Sequence, residues 1–231
     1  MNFKLRTVFS CIALLAVGAA ATAASKPLTI TVYGGTGNIG QRIVQEALNR
    51  GHQVTVVARD PSTLTVSGSG LAVARGDVTD TALVTKQVVG QDVVISAIGI
   101  GRDAAPGELL PAAAQSLVTA IRAQGGKARL LVVGGSSILQ PDSPMRQRPA
   151  GMQHQRALDY LRTVRDVSWS YFIPAGEIRP GTRTGQFRLG SDTLIRDANG
   201  KSSISTEDYA VAMIDEAEKP AHVRQSFTVG Y

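Results

Sequence analysis

The sequence predicts a single α/β domain on a parallel, doubly wound sheet, with a small excursion near its C-terminal end on the ligand side. Three observations carry this prediction. Short β-rich runs alternate with segments of helical periodicity along most of the 231 residues. Several of those runs are apolar at every position rather than every second one, as in strands covered on both faces. A cluster of glycines joins the first strand to the first helix, with no linker or internal repeat further on to divide the chain.

Residues 28–33 (LTITVY) form the first expected strand, and Ile39, Ile43, Val44, Ala47 and Leu48 fall on one face of the following helix before Gly51 ends it. Strands are expected at 53–59 (QVTVVAR), 71–75 (LAVAR), 92–97 (DVVISA), 129–133 (RLLVV) and 168–173 (SWSYFI). Helices are expected at 81–89, 109–123 and 154–164, and Trp169 and Tyr171 share one strand face as core or pocket wall. Short extended pieces at 184–189 and 193–195, bounded by Gly185, Gly190 and Gly200, make up the excursion. A helix over 206–218 with Thr206 as its cap, then a strand over 225–229, complete the sheet.

The glycine cluster reads Gly34-Gly35-Thr36-Gly37-Asn38-Ile39-Gly40. After a strand and before a helix, each glycine has a mechanical reason. Gly34 permits the tight turn, Gly37 leaves room for a pyrophosphate, and Gly40 lets the helix lie close on the strand. The helix N-terminus then offers unpaired N–H groups and a partial positive charge to phosphate. This is the dinucleotide-binding arrangement of a Rossmann-type domain. The second strand ends in Arg59, 19 residues beyond Gly40, where an acidic residue would hold a free ribose and a cation a 2'-phosphate. Arg59, with Ser62 or Thr63 beside it, predicts NADP(H) over NAD(H). Asp60 either caps the turn that follows or accepts from a ribose hydroxyl.

Composition fixes the broad class. With 43% hydrophobic and 18% charged residues, the chain has enough apolar material for a packed core, which excludes intrinsic disorder. Lys4 and Arg6 precede an apolar run over 8–21 and the small residues Ala21 and Ala23, which predicts a signal peptide over residues 1–23 and a domain over 24–231. The run is short for a stable membrane span, so an exported, periplasmic protein is expected, with anchoring through an uncleaved signal as the alternative. Cys11, the single cysteine, would leave with the signal. The mature chain would then lack disulfides and thiolate metal sites. Loss of Lys4 and Arg6 leaves 22 basic against 18 acidic residues and lowers the formal charge from +6 to +4. With no aromatic-plus-basic block, this argues against a nucleic-acid partner. His52 and His222 have no metal-ligand spacing, and no metal is expected.

The motifs GGTGNIG at Gly34, VARD at Val57, GDVTD at Gly76, VISAIG at Val94, LLVVGGSS at Leu130, ISTEDYAVAMIDE at Ile204 and FTVGY at Phe227 resemble those of one family. It is the atypical short-chain dehydrogenase/reductase family that binds NAD(P)H, including NADH-flavin reductase-like and biliverdin reductase B-like proteins. The resemblance spans about residues 28–231. It implies that Asp77 and Val78 lie beside the adenine and that Ala97, Ile98 and Gly99 line the cofactor. It implies further that Gly134, Gly135 and Ser136 flank the nicotinamide, and that the loop opened by Pro174 closes over it. One feature departs from the classical pattern of a tyrosine followed four residues later by lysine. The residues four beyond Tyr33, Tyr160, Tyr171 and Tyr209 are Gly37, Val164, Ala175 and Met213.

Ser136 and His154 are the candidate catalytic residues. Ser136 follows the fifth strand at the carboxyl edge of the sheet, where its hydroxyl either faces a ligand or satisfies a turn. His154, near the start of a helix, is either an acid–base group or an ordinary surface histidine. The resulting expectation is an NAD(P)H-dependent reductase that transfers hydride to a flavin, quinone or similar conjugated acceptor. Reduction of such a ring gives a delocalised anion that solvent can protonate, which suits the missing tyrosine–lysine pair. A non-catalytic NADP(H) sensor is the rival reading. The sequence specifies no oligomeric state.

Overall fold

The computed structural model describes residues 26–100 and 107–231. The signal peptide expected over 1–23, with Cys11 and the cleavage point after Ala23, lies outside the described residues.

Strand β1 (Thr29–Tyr33) leads through the glycine turn into α1 (Asn38–Asn49), followed by β2 (Gln53–Ala58), β3 (Leu71–Arg75), α2 (Thr81–Gln87), β4 (Val93–Ser96), α3 (Leu109–Ala123) and β5 (Arg129–Val133). Next come α4 (Pro144–Gln147), α5 (Pro149–Thr163), β6 (Trp169–Ile173), β7 (Glu177–Arg179), β8 (Arg188–Gly190), β9 (Ser203–Ser205), α6 (Thr206–Glu218) and β10 (Gln225–Gly230). The main sheet runs β3-β2-β1-β4-β5-β6-β10-β8, parallel except where β8 meets β10, while β7 and β9 form a separate parallel pair. Chain direction across the sheet reverses between β1 and β4. That switch point leaves a crevice at the carboxyl ends of the strands.

Alternation along the strands fills the two faces. Leu130 and Val132 of β5 face the layer that holds Leu117 and Ile121 of α3 and Leu158 and Leu161 of α5. Leu131 and Val133 face the opposite layer, with Ile43 of α1, Tyr209 and Ile214 of α6, and Phe172. Phe172 meets Tyr209 and Phe227 at ring-centroid distances of 4.8 and 4.2 Å, and the Tyr209 hydroxyl donates to the Phe172 carbonyl at 2.6 Å.

The doubly wound architecture agrees with expectation, and the differences lie at its margins. Helix α5 starts at Pro149 rather than at 154, because proline suits the first helical position, where its missing N–H costs nothing. Helix α2 ends at Gln87 rather than 89, just before Gly90 takes φ 70°. Ser205, not Thr206, caps α6, its side chain accepting from the Asp208 N–H. The main sheet does not close at β10, since β8 adds an antiparallel edge beyond it. Of the two extended pieces expected in the excursion, the first is strand only in β8 (Arg188–Gly190) and 193–195 is not strand, while the β7–β9 pair lies to either side of them.

Candidate functional site

A cleft of about 370 Å³ opens above the carboxyl ends of β1 to β4. Its wall includes Gly34, Thr36, Gly37, Asn38 and Ile39 from the glycine turn, Arg59 after β2, Asp77 and Val78 after β3, and Ala97, Ile98 and Gly99 after β4. The topology thus brings to one wall residues as far apart in the sequence as Gly34 and Gly99.

The turn is held by contacts that only glycine allows. Gly34 has φ +77°, and a β-carbon there would lie 2.5 Å from the Ala97 carbonyl oxygen. A β-carbon on Gly40 would lie 2.1 Å from the Gly34 oxygen. Gly35 and Gly40 therefore act beneath the cleft, with Gly35 packed on Val56. Gly37 is different: its backbone is extended (φ −78°, ψ 165°), and the nearest atom to an added β-carbon would be the Gly34 oxygen at 3.4 Å. The protein itself does not require glycine there. Helix α1 has no side-chain cap and no acidic residue in its first turn, so its N-terminal N–H groups face the cleft unneutralised. These are the properties of an anion cradle, and they fit the pyrophosphate of a dinucleotide.

At the far end, Asp60 is bound into its own turn. Its Oδ1 accepts from the Ser62 N–H at 3.1 Å and the Ser62 hydroxyl at 2.6 Å, which holds the carboxyl below its ordinary range. The Thr63 hydroxyl donates to the Asp60 carbonyl. Ser62 and Thr63, expected beside Arg59, thus direct their hydroxyl protons to Asp60 instead. Asp77 accepts from the Thr79 N–H and hydroxyl at 2.9 and 2.8 Å, and these bonds, aided by the Arg59 charge, keep it ionised.

Sequence reasoning missed part of the wall: Tyr33, Val57, Ala58, Gly76 and Leu109. Tyr33 donates to Gln87 Oε1 at 3.0 Å while Gln87 Nε2 donates to the Arg75 carbonyl at 3.2 Å, fixing the floor between β1 and β3. Burial raises the Tyr33 pKa well above the ordinary tyrosine value, so it stays a neutral donor. Its place as the last residue of the first strand was the available signal.

Gly134, Gly135, Ser136, His154 and Pro174 lie outside the cleft wall. Ser136 opens a short 3-10 turn (Ser136–Leu139), and Pro174 is buried after β6. The two glycines carry a tyrosine–histidine pair. A β-carbon on Gly134 would come within 2.5 Å of the Tyr171 ring, and one on Gly135 within 2.5 Å of the His154 ring. His154 Nδ1 and the Tyr171 hydroxyl are 2.9 Å apart, and burial drives the imidazole pKa down to about 4. The other histidines serve the fold. His52 Nδ1 accepts from the Leu28 N–H at 3.2 Å, and His222 stacks on Phe227.

Fold and cleft together define a dinucleotide-binding protein of the Rossmann type. A family model described as NAD(P)H-binding matches residues 34–220, and the chain belongs to that family, in agreement with its resemblance to atypical short-chain dehydrogenases/reductases. YwnB of Bacillus subtilis strain 168, an uncharacterized protein, is 34% identical over 217 residues, covering 87% of this chain and 98% of that one. Among solved structures, a candidate exported protein from Burkholderia pseudomallei is 38% identical with TM-score 0.78, over 88% of this chain and 100% of that one. A candidate NADH-flavin reductase from Streptococcus pneumoniae is 28% identical with TM-score 0.73, over 88% and 99%.

Proposed function

We propose that this protein is an NADPH-dependent reductase that passes hydride to a flavin, quinone or related conjugated acceptor. The observation that carries the reading is an uncapped α1 N-terminus and the Arg59 side chain lining one cleft, with the competing carboxylate of Asp60 bound into its own turn. In this reading the N–H groups of Asn38, Ile39 and Gly40 hold the pyrophosphate, Arg59 holds the 2'-phosphate, and Asp77 and Val78 sit beside the adenine. Ala97, Ile98 and Gly99 run along the cofactor toward the Gly134–Ser136 loop and Pro174, where the nicotinamide belongs. A bound dihydronicotinamide supplies the hydride. The chain's own task is to orient two rings face to face and to exclude competing contacts, while solvent supplies the accompanying proton. The Streptococcus pneumoniae relative favours a reductase over a sensor.

Sustained oxidation of NADPH on addition of lumiflavin or menadione tests the reading. Binding of NADPH without turnover on any such acceptor would favour the sensor instead. Arg59→Glu is expected to weaken NADPH binding by about 10- to 100-fold more than NADH binding, since a charge-assisted bond to phosphate becomes a repulsion. Two calorimetric titrations measure this, and equal weakening of both cofactors would reduce Arg59 to a support of the fold.

We also propose export with cleavage after Ala23, on the strength of the N-terminal sequence and the Burkholderia relative's description. Among the described residues no helix is long and apolar enough to cross a membrane. The intact mass of protein recovered from the expressing cells is expected to match a chain that begins at Ala24. Recovery of the full-length chain from the membrane fraction would establish the anchored form.

A further inference from the structure

Helix α1 carries Gln41 in its first turn, and the two ends of that side-chain amide reach two different loops. Its Nε2 donates to the Thr36 carbonyl at 3.0 Å. Its Oε1 accepts from the Thr65 N–H at 3.1 Å and also from the Thr65 hydroxyl. The partners settle which way the amide points, because a carbonyl oxygen can only accept and a backbone N–H can only donate. Thr36 belongs to the glycine turn in the cleft wall, and Thr65 to the loop that leaves β2 through Arg59, which lines the same cleft. One uncharged side chain thus ties the phosphate cradle to the loop that bears Arg59.

The tie at Thr65 is felt at Arg59 because the residues between them are stitched into one short turn. The Ser62 N–H and hydroxyl and the Thr63 hydroxyl all donate to Asp60, and the Leu64 N–H donates to the Pro61 carbonyl at 3.1 Å. At the other end, Ala58 is held opposite Arg75 by the β2–β3 ladder, so Arg59 is the first residue off the sheet and Gln41 fastens the far end of its turn. Arg59 is exposed, and the path of this loop, rather than packing around the side chain, sets where its guanidinium lies. Leu64 and Val66, on either side of Thr65, pack on the core layer of Val54 and Val56 and keep the loop on the protein without Gln41. The glycine turn has its own supports, the Gly37 N–H bond to the Gly34 carbonyl at 3.1 Å and the close approach of Gly40.

We propose that Gln41 is a positioning residue for cofactor choice, holding the Arg59 turn in place against the glycine turn so that the 2'-phosphate of NADPH meets an ordered cation. This rests on the reading that puts the 2'-phosphate at Arg59, and it deepens that reading. A loop already in place spares the binding step the entropy of ordering it, and only the cofactor that carries the phosphate benefits. The pyrophosphate, common to NADPH and NADH, rests on α1 N–H groups whose positions the helix fixes. Loss of the tie therefore weakens NADPH selectively.

Gln41→Met keeps the length and helix preference of the side chain and removes its bonds to both loops. Thr65→Val removes only the hydroxyl and leaves the N–H. Calorimetry gives Kd for NADPH and NADH in the unaltered protein, in these two variants, in Arg59→Ala, and in Arg59→Ala combined with Gln41→Met. The ratio of Kd for NADH to Kd for NADPH is expected to fall about five- to tenfold in Gln41→Met and by less in Thr65→Val, with Kd for NADH changed less than about twofold. In the Arg59→Ala background, Gln41→Met is expected to leave the ratio unchanged, because the cation it positions is gone. A Gln41→Met protein that keeps the ratio, or weakens both cofactors alike, would overturn the proposal, as would a fall in the ratio that persists in the Arg59→Ala background. If Arg59→Ala itself lowers the ratio, those outcomes leave the phosphate reading standing. A ratio that Arg59→Ala does not lower would overturn both.

Discussion

Gly37→Val is expected to raise the Kd for NADPH by at least about 100-fold while the protein stays folded. The separation of these effects follows from the backbone. At φ −78° and ψ 165°, position 37 is in a region open to every residue, and an added β-carbon meets nothing closer than 3.4 Å. Replacing glycine by an aliphatic residue at an N-cap costs about 1 kcal/mol, so the Tm should fall by only about 2–4 °C. The new side chain occupies the volume above the α1 N-terminus, where the pyrophosphate must approach the N–H groups within hydrogen-bond distance. Thermal unfolding and a cofactor titration on the same sample check both halves. Normal NADPH affinity in a folded Gly37→Val protein would mean that the phosphates do not sit on this helix.

Gly40 makes the contrast. Its β-carbon would lie 2.1 Å from the Gly34 carbonyl oxygen, a backbone atom fixed by the Gly37 N–H bond at 3.1 Å. Even alanine must push the turn away from the helix there, so Gly40→Ala should lose stability and affinity together. Two glycines three residues apart in one motif thus have different physical roles, one toward the ligand and one toward the fold.

That difference marks how far the sequence could be read. The glycine turn and Arg59 were legible as parts of the cleft wall because each sits in a short run whose place after a strand is set by periodicity, whereas Asp77 entered only through the family resemblance. The parallel, doubly wound class of the sheet follows from the alternation of strand and helix together with right-handed crossovers. The Tyr171–His154–Gly135 arrangement was not legible, because its members are brought together across β5, β6 and α5 and carry no shared local pattern. The same holds for Tyr33 and Gln87, 54 residues apart. The excursion was read least well. Its short runs look extended, yet residues 180–187 are shaped by side chains from α1 and α6 rather than by a strand ladder.

Asp208→Ala is expected to destabilise the protein by about 3 kcal/mol or more, a large part of the roughly 5–15 kcal/mol available to a domain. Asp208 lies in the first turn of α6 with no exposed surface. Its Oδ1 accepts from the N–H groups of Thr184 and Gly185, each at 2.8 Å, and its Oδ2 from the hydroxyls of Thr184 and Tyr231 at 2.6 and 2.7 Å. One carboxylate therefore fastens the excursion and the end of the β10 segment to α6. Arg183 adds a second fastening by reaching Glu46 of α1 with two bonds of 2.7 Å. Alanine strands two backbone donors, whereas asparagine keeps one acceptor oxygen and lets the hydroxyls turn toward its amide, so Asp208→Asn should cost about half as much. Burial alone would raise the Asp208 pKa, but the bonds from Thr184, Gly185 and Tyr231 outweigh it and hold the value below that of a free aspartate. A carboxyl with a depressed folded-state pKa contributes stability that is fully present above its unfolded pKa of about 3.9 and is lost as pH falls through the folded value. The stability gap between the unaltered protein and Asp208→Asn, read from urea midpoints, should therefore be constant from pH 7 to about pH 5 and narrow below pH 4. A gap as wide at pH 3 as at pH 7 would show that the contribution comes from packing and not from the charge on Asp208.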